Sequence, residues 1–187
     1  MDFEDPAVLE EQIRSLRQRL AKARQAQAST AEPVGEYRFR GPGETAISLR
    51  ELFGTHHDLL VIHNMGRRCA YCTLWADGIN GVARQLQRRS ALVLVSPDSP
   101  AVQAAFAAER GWTLPMVSGT GSSFTLDMGF ALDDGRVLPG VSAFHRETPE
   151  GPITRTGKAA FGPGDEFCLV YHMFDLLKHG VANFRPE

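Results

Sequence analysis

The stretch DLLVIHNMGRRCAYC, residues 58–72, joins a continuous apolar run to two cysteines that are separated by two residues. The apolar run is typical of a strand buried on both faces, and residues 69–88 have the pattern of a helix. Cys69 therefore stands where a buried strand has ended and a helix begins. We expect this junction to decide both the fold of the chain and its chemistry.

The segments around this junction alternate in kind. SALVLVS, residues 90–96, is a second apolar strand, and Ser99 with Pro100 opens a helix that closes at Gly111. Further on, residues 141–146 and 152–158 flank a turn-rich connector and predict an antiparallel hairpin, which a last helix near residues 165–178 follows. The order βαβα, an insert over 111–138, then ββα predicts an α/β fold with parallel central strands.

The N-terminal segment has a helical period. Apolar residues recur at steps of three and four, namely Val8, Leu9, Ile13, Leu16, Leu20 and Ala23. Pro6 suits a first turn, so residues 6–28 are predicted to form an amphipathic helix. Such a short helix must dock on the domain or on a second copy of the chain. We divide the chain into an N-terminal helical arm, residues 1–30, and one domain, residues 31–187.

The composition is that of an ordinary globular protein. The 187 residues are 43% hydrophobic and 22% charged, with a formal charge of −2, and can bury a core without disulfides. The dispersed basic groups favour neither nucleic acid nor a membrane as a partner. The acidic start lacks a signal-peptide core, and no apolar run approaches the roughly 20 residues of a membrane span, so we expect a cytoplasmic location.

The two cysteines of the junction are expected to react as a pair. An odd total of three cysteines and a reducing compartment argue against a static disulfide. Free N–H groups and the helix dipole favour an anion at Cys69, and Arg67 and Arg68 add positive charge. Cys72 lies almost one turn later, so its sulfur returns beside that of Cys69 and should be less exposed. The pattern predicts that Cys69 attacks a disulfide and that Cys72 resolves the mixed disulfide.

Two other uses of the pair remain as alternatives. Thr73 stands where a c-type haem site needs histidine, which excludes haem attachment. A structural zinc site needs four ligands, and Cys168 with His172 is the candidate to join Cys69 and Cys72 in a metal-binding module. The other alternative is a binding domain that has the fold but no redox activity.

The order of elements, with Cys-x-x-Cys at the first long helix, resembles the thioredoxin-like superfamily. The resemblance implies a central mixed β-sheet flanked by helices. It also implies a cis-proline just before the third long strand, where Pro139 stands with Pro115 as the alternative, and a groove for the substrate chain that Pro139 shapes. A peroxiredoxin would carry Thr or Ser three residues before the attacking cysteine, but this chain has Gly66 there, which argues against direct peroxide reduction.

The chain resembles, more specifically, the bacterial family DUF899, whose members are predicted dithiol–disulfide oxidoreductases. The similar segments are the N-terminal helix and residues 37–65, 69–78, 92–119 and 124–130. The resemblance implies an enzyme that acts on protein or small-molecule disulfides and thiols. This chemistry needs no cofactor, and a separate dithiol would donate the electrons. The N-terminal helix further predicts a homodimer.

Five further side chains are candidates for the site or its surroundings. Tyr71 stands between the cysteines, where thioredoxin has Gly-Pro, and should tune the reduction potential. We expect Trp75 in the core, and Asp77 on the surface or as a cap rather than as proton acceptor for the resolving thiol. His63 is a candidate for modulating thiol ionisation, and Cys168 is expected to be a buried structural thiol.

Overall fold

A mixed β-sheet forms the centre of the protein. The computed structural model describes residues 4–31 and 33–187, and within these residues the sheet has seven strands. The strands are β1 (Arg38–Arg40), β2 (Ala46–Ser48), β3 (Asp58–His63), β4 (Ala91–Ser96), β5 (Met116–Ser118), β6 (Gly140–His145) and β7 (Thr154–Ala160). Their order is β2-β1-β5-β4-β3-β6-β7. The pairs β3–β4 and β4–β5 are parallel and the others antiparallel, which confirms the predicted mixed sheet.

Five helices accompany the sheet within the described residues. They are α1 (Pro6–Ala28), α2 (Ala70–Leu86), α3 (Pro100–Arg110), α4 (Phe124–Asp127) and α5 (Leu169–Phe174). The predicted helices at α1, α2 and α3 are confirmed. Ser99 caps α3 by accepting the Val102 N–H, and Gly111 ends it with a φ of 66°. The first three residues of the predicted arm, and Glu32 of the segment that follows it, lie outside the described residues.

Two parts of the chain differ from the prediction. The piece treated as an insert, residues 111–138, contributes β5 to the sheet, because β5 pairs with both β4 and β1. The last helix is shorter than the predicted 165–178. Oδ1 of Asp165 accepts the N–H groups of Phe167 and Cys168, so the helix begins only at Leu169, and turns follow Phe174.

The expected cis peptide bond is wrong, for Pro139 and for Pro115 alike. No peptide bond within residues 4–31 and 33–187 is cis. The Pro139 carbonyl oxygen accepts the Phe161 N–H at 3.0 Å, which extends the β6–β7 ladder by one bond. The expected position of Pro139 is nevertheless confirmed, because the next residue, Gly140, pairs with His63 at the end of β3.

The sheet separates two apolar cores. Leu59 and Val61 of β3 face one core, and Ile62 faces the other, where α2 packs through Ala76 and Ile79. This alternation lets a fully buried strand contribute to both layers. Because α2 is held against the sheet along this face, its first turn lies at the carboxyl end of β3. The loop between them therefore has a fixed place.

Helix α1 lies outside both cores. It has no buried residue, and Val8, Ile13, Leu16 and Leu20 are between 42% and 57% exposed. The helix lies against β7, and Arg17 and Arg24 lie 3.0 and 3.9 Å from the carboxylate oxygens of Glu166. The arm thus touches the domain through charged groups and leaves its apolar stripe uncovered. None of the helices in the described ranges combines the length and the hydropathy that a bilayer crossing requires.

Candidate active site

Cys69 is the N-cap residue of α2. Its backbone is extended, and its Sγ accepts the N–H of Cys72 at 3.2 Å in the manner of a capping side chain. The N–H of Tyr71 also binds this sulfur. The sulfur therefore takes two of the N–H groups that a helix start leaves without an intrahelical partner. The predicted position of Cys69 at the junction of strand and helix is confirmed.

Cys72 is the more buried thiol of the pair, as predicted. Its side chain is 4% exposed, whereas Cys69 is half-buried. The Met65 N–H donates to Cys72 Sγ at 3.5 Å. All three cysteines lie in the described residues, and none is in a disulfide. Cys69 thus supplies the accessible sulfur of the pair and Cys72 the enclosed one.

These hydrogen bonds separate the acidities of the two thiols. The bond from the Cys72 thiol, helped by the N–H groups of Cys72 and Tyr71, lowers the pKa of Cys69 to about 6 although burial opposes the change. The same thiol–thiol bond, together with burial, raises the pKa of Cys72 above its ordinary value. The negative charge therefore resides on Cys69 and the proton on Cys72. This division matches a nucleophile and a resolving thiol.

Asn64 holds the loop between β3 and α2. Its side chain is 6% exposed; its Nδ2 donates to the Cys72 carbonyl oxygen at 3.3 Å, and its Oδ1 accepts the Gly66 N–H at 2.7 Å. The Asn64 N–H donates to Val95 of β4. Sequence analysis missed this residue. A buried amide directly after an apolar strand is the signal that could have identified it.

Gly66 is required by its own backbone and by a neighbour. Its φ is 96°, and a Cβ atom there would lie 2.9 Å from Oδ2 of Asp98. The same Oδ2 accepts the Arg67 N–H at 2.7 Å, so Asp98 fixes the loop from the side of β4. Asp98 was also missed by sequence analysis. The Thr or Ser that a peroxiredoxin carries at this position has no room here.

The rim of the site consists of the other predicted site residues, Arg67, Arg68, Tyr71 and Pro139. Arg67 and Arg68 are exposed, and the described residues form no ion pair with either. The lowered pKa of Cys69 has hydrogen bonds as its favourable causes, so a contribution from the two arginines stays a prediction. Tyr71 is 37% exposed. Pro139 is half-buried at the end of the sheet where β3 finishes.

His63 is not brought to the thiol pair. It is 1% exposed, on the β3 face that also carries Val61, and its ring stacks on Phe130 at 3.9 Å between centroids. Nε2 lies 2.9 Å from the Ser142 hydroxyl, and burial lowers the pKa of His63 to about 3. It is therefore a neutral core residue on the side of the sheet away from α2. This position does not support its candidate role in thiol ionisation.

The remaining helix residues are structural, as expected. Trp75 is buried and donates from Nε1 to Asp165 at 2.8 Å. Asp77 pairs with Arg110 at 2.6 Å and accepts the Trp112 indole N–H at 2.7 Å. Its carboxylate oxygens therefore have partners away from the cysteines. The expectation that Asp77 is not the proton acceptor is thus supported by its contacts.

The third cysteine is a buried structural thiol. Cys168 is 3% exposed in the core that contains Trp75, and burial raises the pKa of its thiol. His172 directs Nε2 at the Asp165 carbonyl oxygen, 2.7 Å away. Among the residues that the structure describes, no group of three or more His, Cys, Asp or Glu side chains is arranged to hold a metal. The alternative metal set, Cys69, Cys72, Cys168 and His172, is not brought together.

A family model matches this chain over residues 6–184. The family is DUF899, described as a bacterial protein of unknown function. The chain belongs to DUF899. No curated protein matches this DUF899 chain.

Solved structures with a similar fold include peroxiredoxins. Peroxidoxin BcpB from Mycobacterium tuberculosis has 19% identity and a TM-score of 0.51, and the match covers 67% of this chain and 84% of that one. PrxQ from Xylella fastidiosa has 15% identity and a TM-score of 0.54, with 68% and 85% covered. A yeast mitochondrial 1-Cys peroxiredoxin has 9% identity and a TM-score of 0.55, with 70% and 66% covered. These similarities show the fold, and they confirm the thioredoxin-like prediction.

Proposed function

We propose that this DUF899 protein is a dithiol–disulfide oxidoreductase in which Cys69 is the nucleophile and Cys72 the resolving thiol. The observation that supports this most strongly is the half-buried Cys69 sulfur at the start of α2, which accepts the Cys72 N–H at 3.2 Å and stands one turn before the buried Cys72 thiol. With a pKa of about 6, roughly 90% of Cys69 is thiolate at pH 7. An unperturbed cysteine, with a pKa of about 8.5, is only about 3% thiolate at pH 7.

The proposed reaction transfers two electrons from the protein dithiol to a disulfide. The Cys69 thiolate attacks one sulfur of the substrate, a new S–S bond forms, and the old S–S bond breaks to release a thiolate. That thiolate takes the Cys72 proton. The Cys72 sulfur, now a thiolate, attacks Cys69 Sγ, which closes the protein disulfide and releases the second half of the substrate as a thiolate. A separate dithiol restores the reduced protein by the reverse exchange, and no cofactor takes part.

A disulfide is a better substrate than a peroxide for this site. The similar solved structures are peroxiredoxins by name. In this chain the position that precedes the nucleophile by three residues is Gly66, where a side chain would strike Asp98. A hydroxyl from Thr or Ser is thus absent from that position. The adjacent resolving thiol, one turn away, suits exchange with a disulfide.

We further propose roles for the rim residues. Arg67 and Arg68 favour the thiolate through their positive charge and border the substrate groove. Tyr71, exposed between the two cysteines, covers one side of the pair. Pro139 shapes the groove from β6, since it stands next to the end of β3. A cytoplasmic location agrees with a pair that must stay reduced before it reacts.

We also propose a homodimer formed by antiparallel pairing of α1 helices. The uncovered stripe of α1 is apolar, Glu10 and Glu11 lie in its first half, and Arg19 and Lys22 in its second half. Antiparallel pairing would join the stripes and place opposite charges together. Light scattering should give a dimer for the full chain and a monomer for Leu16→Glu. A monomeric full chain contradicts this part of the proposal.

Trapping in cells tests the proposed function. Cys72→Ser removes the resolving thiol, so Cys69 should remain in mixed disulfides with its substrates, and these can be identified by mass spectrometry. The matched Cys69→Ser variant should trap almost nothing, because its two remaining thiols, Cys72 and Cys168, are both buried. Equal trapping by the two variants would falsify the assigned roles.

A further inference from the structure

Three arginines without acidic partners border the thiol pair. Arg67 and Arg68 are exposed on the turn that leads into Cys69. Arg185, near the C-terminus, is also exposed, and its Nη1 donates to the hydroxyl oxygen of Tyr71 at 3.4 Å. Tyr71 lies two residues after Cys69, so this contact ties the C-terminal segment and its guanidinium group to the first turn of the helix that carries the thiol pair. The described residues form no ion pair with any of the three.

What distinguishes these three arginines is their place next to the helix start that carries the reactive sulfur, not the lack of an ion pair. Arg50 pairs with Glu36 at 2.9 Å and Arg110 with Asp77 at 2.6 Å, but Arg84 and Arg88, at the far end of α2, also form no ion pair within the described residues. A local excess of positive charge around a reactive group attracts anions to it.

One carboxylate lies at the same loop. Asp98 accepts the backbone N–H of Arg67 at 2.7 Å and packs on Gly66, so it is bound by the main chain rather than by a guanidinium group. It offsets one of the three positive charges. Two remain, and each guanidinium group keeps the donors with which arginine binds carboxylates.

The guanidinium groups are suited to parts of the substrate that lie away from the reacting sulfur. The hydrogen bonds that favour the Cys69 thiolate come from Cys72 and Tyr71, not from the arginines. Beside the thiol itself stands an apolar group, Met65, which is 42% exposed and whose Sδ lies 3.9 Å from Cys69 Sγ. The Cys69 sulfur is thus contacted by backbone N–H groups and by the Met65 thioether, and no guanidinium group is among its hydrogen-bond partners within the described residues.

We propose that the substrate is a low-molecular-weight disulfide that carries carboxylate groups a few bonds from its sulfur atoms, held by Arg67, Arg68 and Arg185. This inference rests on the proposed function. The Cys69 thiolate attacks the disulfide and the S–S bond of the substrate breaks; one half leaves as a thiol with the Cys72 proton, the other leaves as a thiolate, and each keeps its carboxylate, while the protein dithiol becomes the Cys69–Cys72 disulfide. The arginines take no part in bond making and hold the anionic ends.

A charge series of small disulfides tests the inference on the full-length reduced protein. The probes are 3,3′-dithiodipropionate, 2-hydroxyethyl disulfide and cystamine, which are anionic, neutral and cationic. Each single-turnover rate is divided by the rate of the same disulfide with 2-mercaptoethanol, which removes differences in intrinsic reactivity. The normalised rate for the anionic probe should exceed that for the cationic probe by about tenfold or more at low salt. The difference should shrink at about 1 M salt.

Matched variants decide whether the three arginines are responsible. The anionic-to-cationic rate ratio should fall towards one in the combined Arg67→Ala, Arg68→Ala and Arg185→Ala variant. It should stay as in the wild type in Arg84→Ala with Arg88→Ala, which removes exposed arginines at the far end of α2. A wild-type ratio near one, or a ratio that survives the triple change, overturns the substrate class and leaves the oxidoreductase proposal intact. Failure of all three probes to react overturns both.

Discussion

Removing the Cys72 thiol should raise the pKa of Cys69, because the hydrogen bond between the thiols is the largest favourable cause of its low value. Hydrogen bonds to charged groups contribute about 1.5–3 kcal/mol, which corresponds to about one to two pH units. In Cys72→Ala the N–H groups of residues 71 and 72 still bind the sulfur. The pKa of Cys69 should therefore move from about 6 to about 7–8. The thiolate fraction at pH 7 would fall from roughly 90% to roughly 10–50%.

The assay is the rate of Cys69 alkylation by iodoacetamide as a function of pH, followed by mass spectrometry of the peptide that contains Cys69. Cys72→Ser is the matched control, since its hydroxyl can still donate to the thiolate, and its midpoint should stay close to that of the wild type. A wild-type midpoint near 9 would refute the reasoning. An unchanged midpoint in Cys72→Ala would show that the thiol–thiol bond is not the cause.

Three further changes have defined outcomes. Gly66→Ala places a side chain at a φ of 96° and against the Asp98 carboxylate, so it should lower the free energy of unfolding by about 1–3 kcal/mol. Gly78→Ala lies in α2 with open space at its Cβ, so it should raise the free energy of unfolding by about 0.5–1 kcal/mol. Urea denaturation measures both changes, and equal effects of the two variants would contradict the account. Cys168→Ala should cost about 1 kcal/mol of stability and leave disulfide reduction unchanged, and a loss of activity in a folded variant would be contrary to its structural role. The Asp58 carboxylate beside His145 raises the pKa of that histidine. The pair therefore stabilises the fold fully below the unfolded-state pKa of 6.5, and this stabilisation is lost as pH rises through the folded-state pKa. His145→Gln should destabilise the protein more at about pH 5.5 than at about pH 9, and the opposite order would be inconsistent with the pair.

Much of the fold could be predicted because its signals are local. β3 and β4 are continuous apolar runs, and α3 carries both a serine cap and a terminal glycine. The strand β5 has three residues, and its place in the sheet depends on β4 and β1, which no local pattern indicates. The expectation of a cis-proline came from a resemblance alone, and no peptide bond in the described residues is cis.

The residues of the candidate site likewise fall into those that the sequence could identify and those that it could not. Cys69 and Cys72 could be assigned because spacing along a helix fixes which side chains meet. Asn64 and Asp98 could not, because each acts on a loop that only the assembled sheet brings within reach. The contact between Arg185 and Tyr71 joins residues far apart in sequence and also required the structure.

The mass of the intact protein after brief exposure to 2-hydroxyethyl disulfide tests the central claim most directly. The wild type should lose two hydrogens, with one bond between Cys69 and Cys72. Cys72→Ser should gain a single mixed-disulfide adduct on Cys69, and Cys69→Ser should stay unmodified over the same time. An adduct forming on Cys69→Ser as fast as on Cys72→Ser, or a wild type that stays reduced, would contradict a thiolate nucleophile paired with a buried resolving thiol.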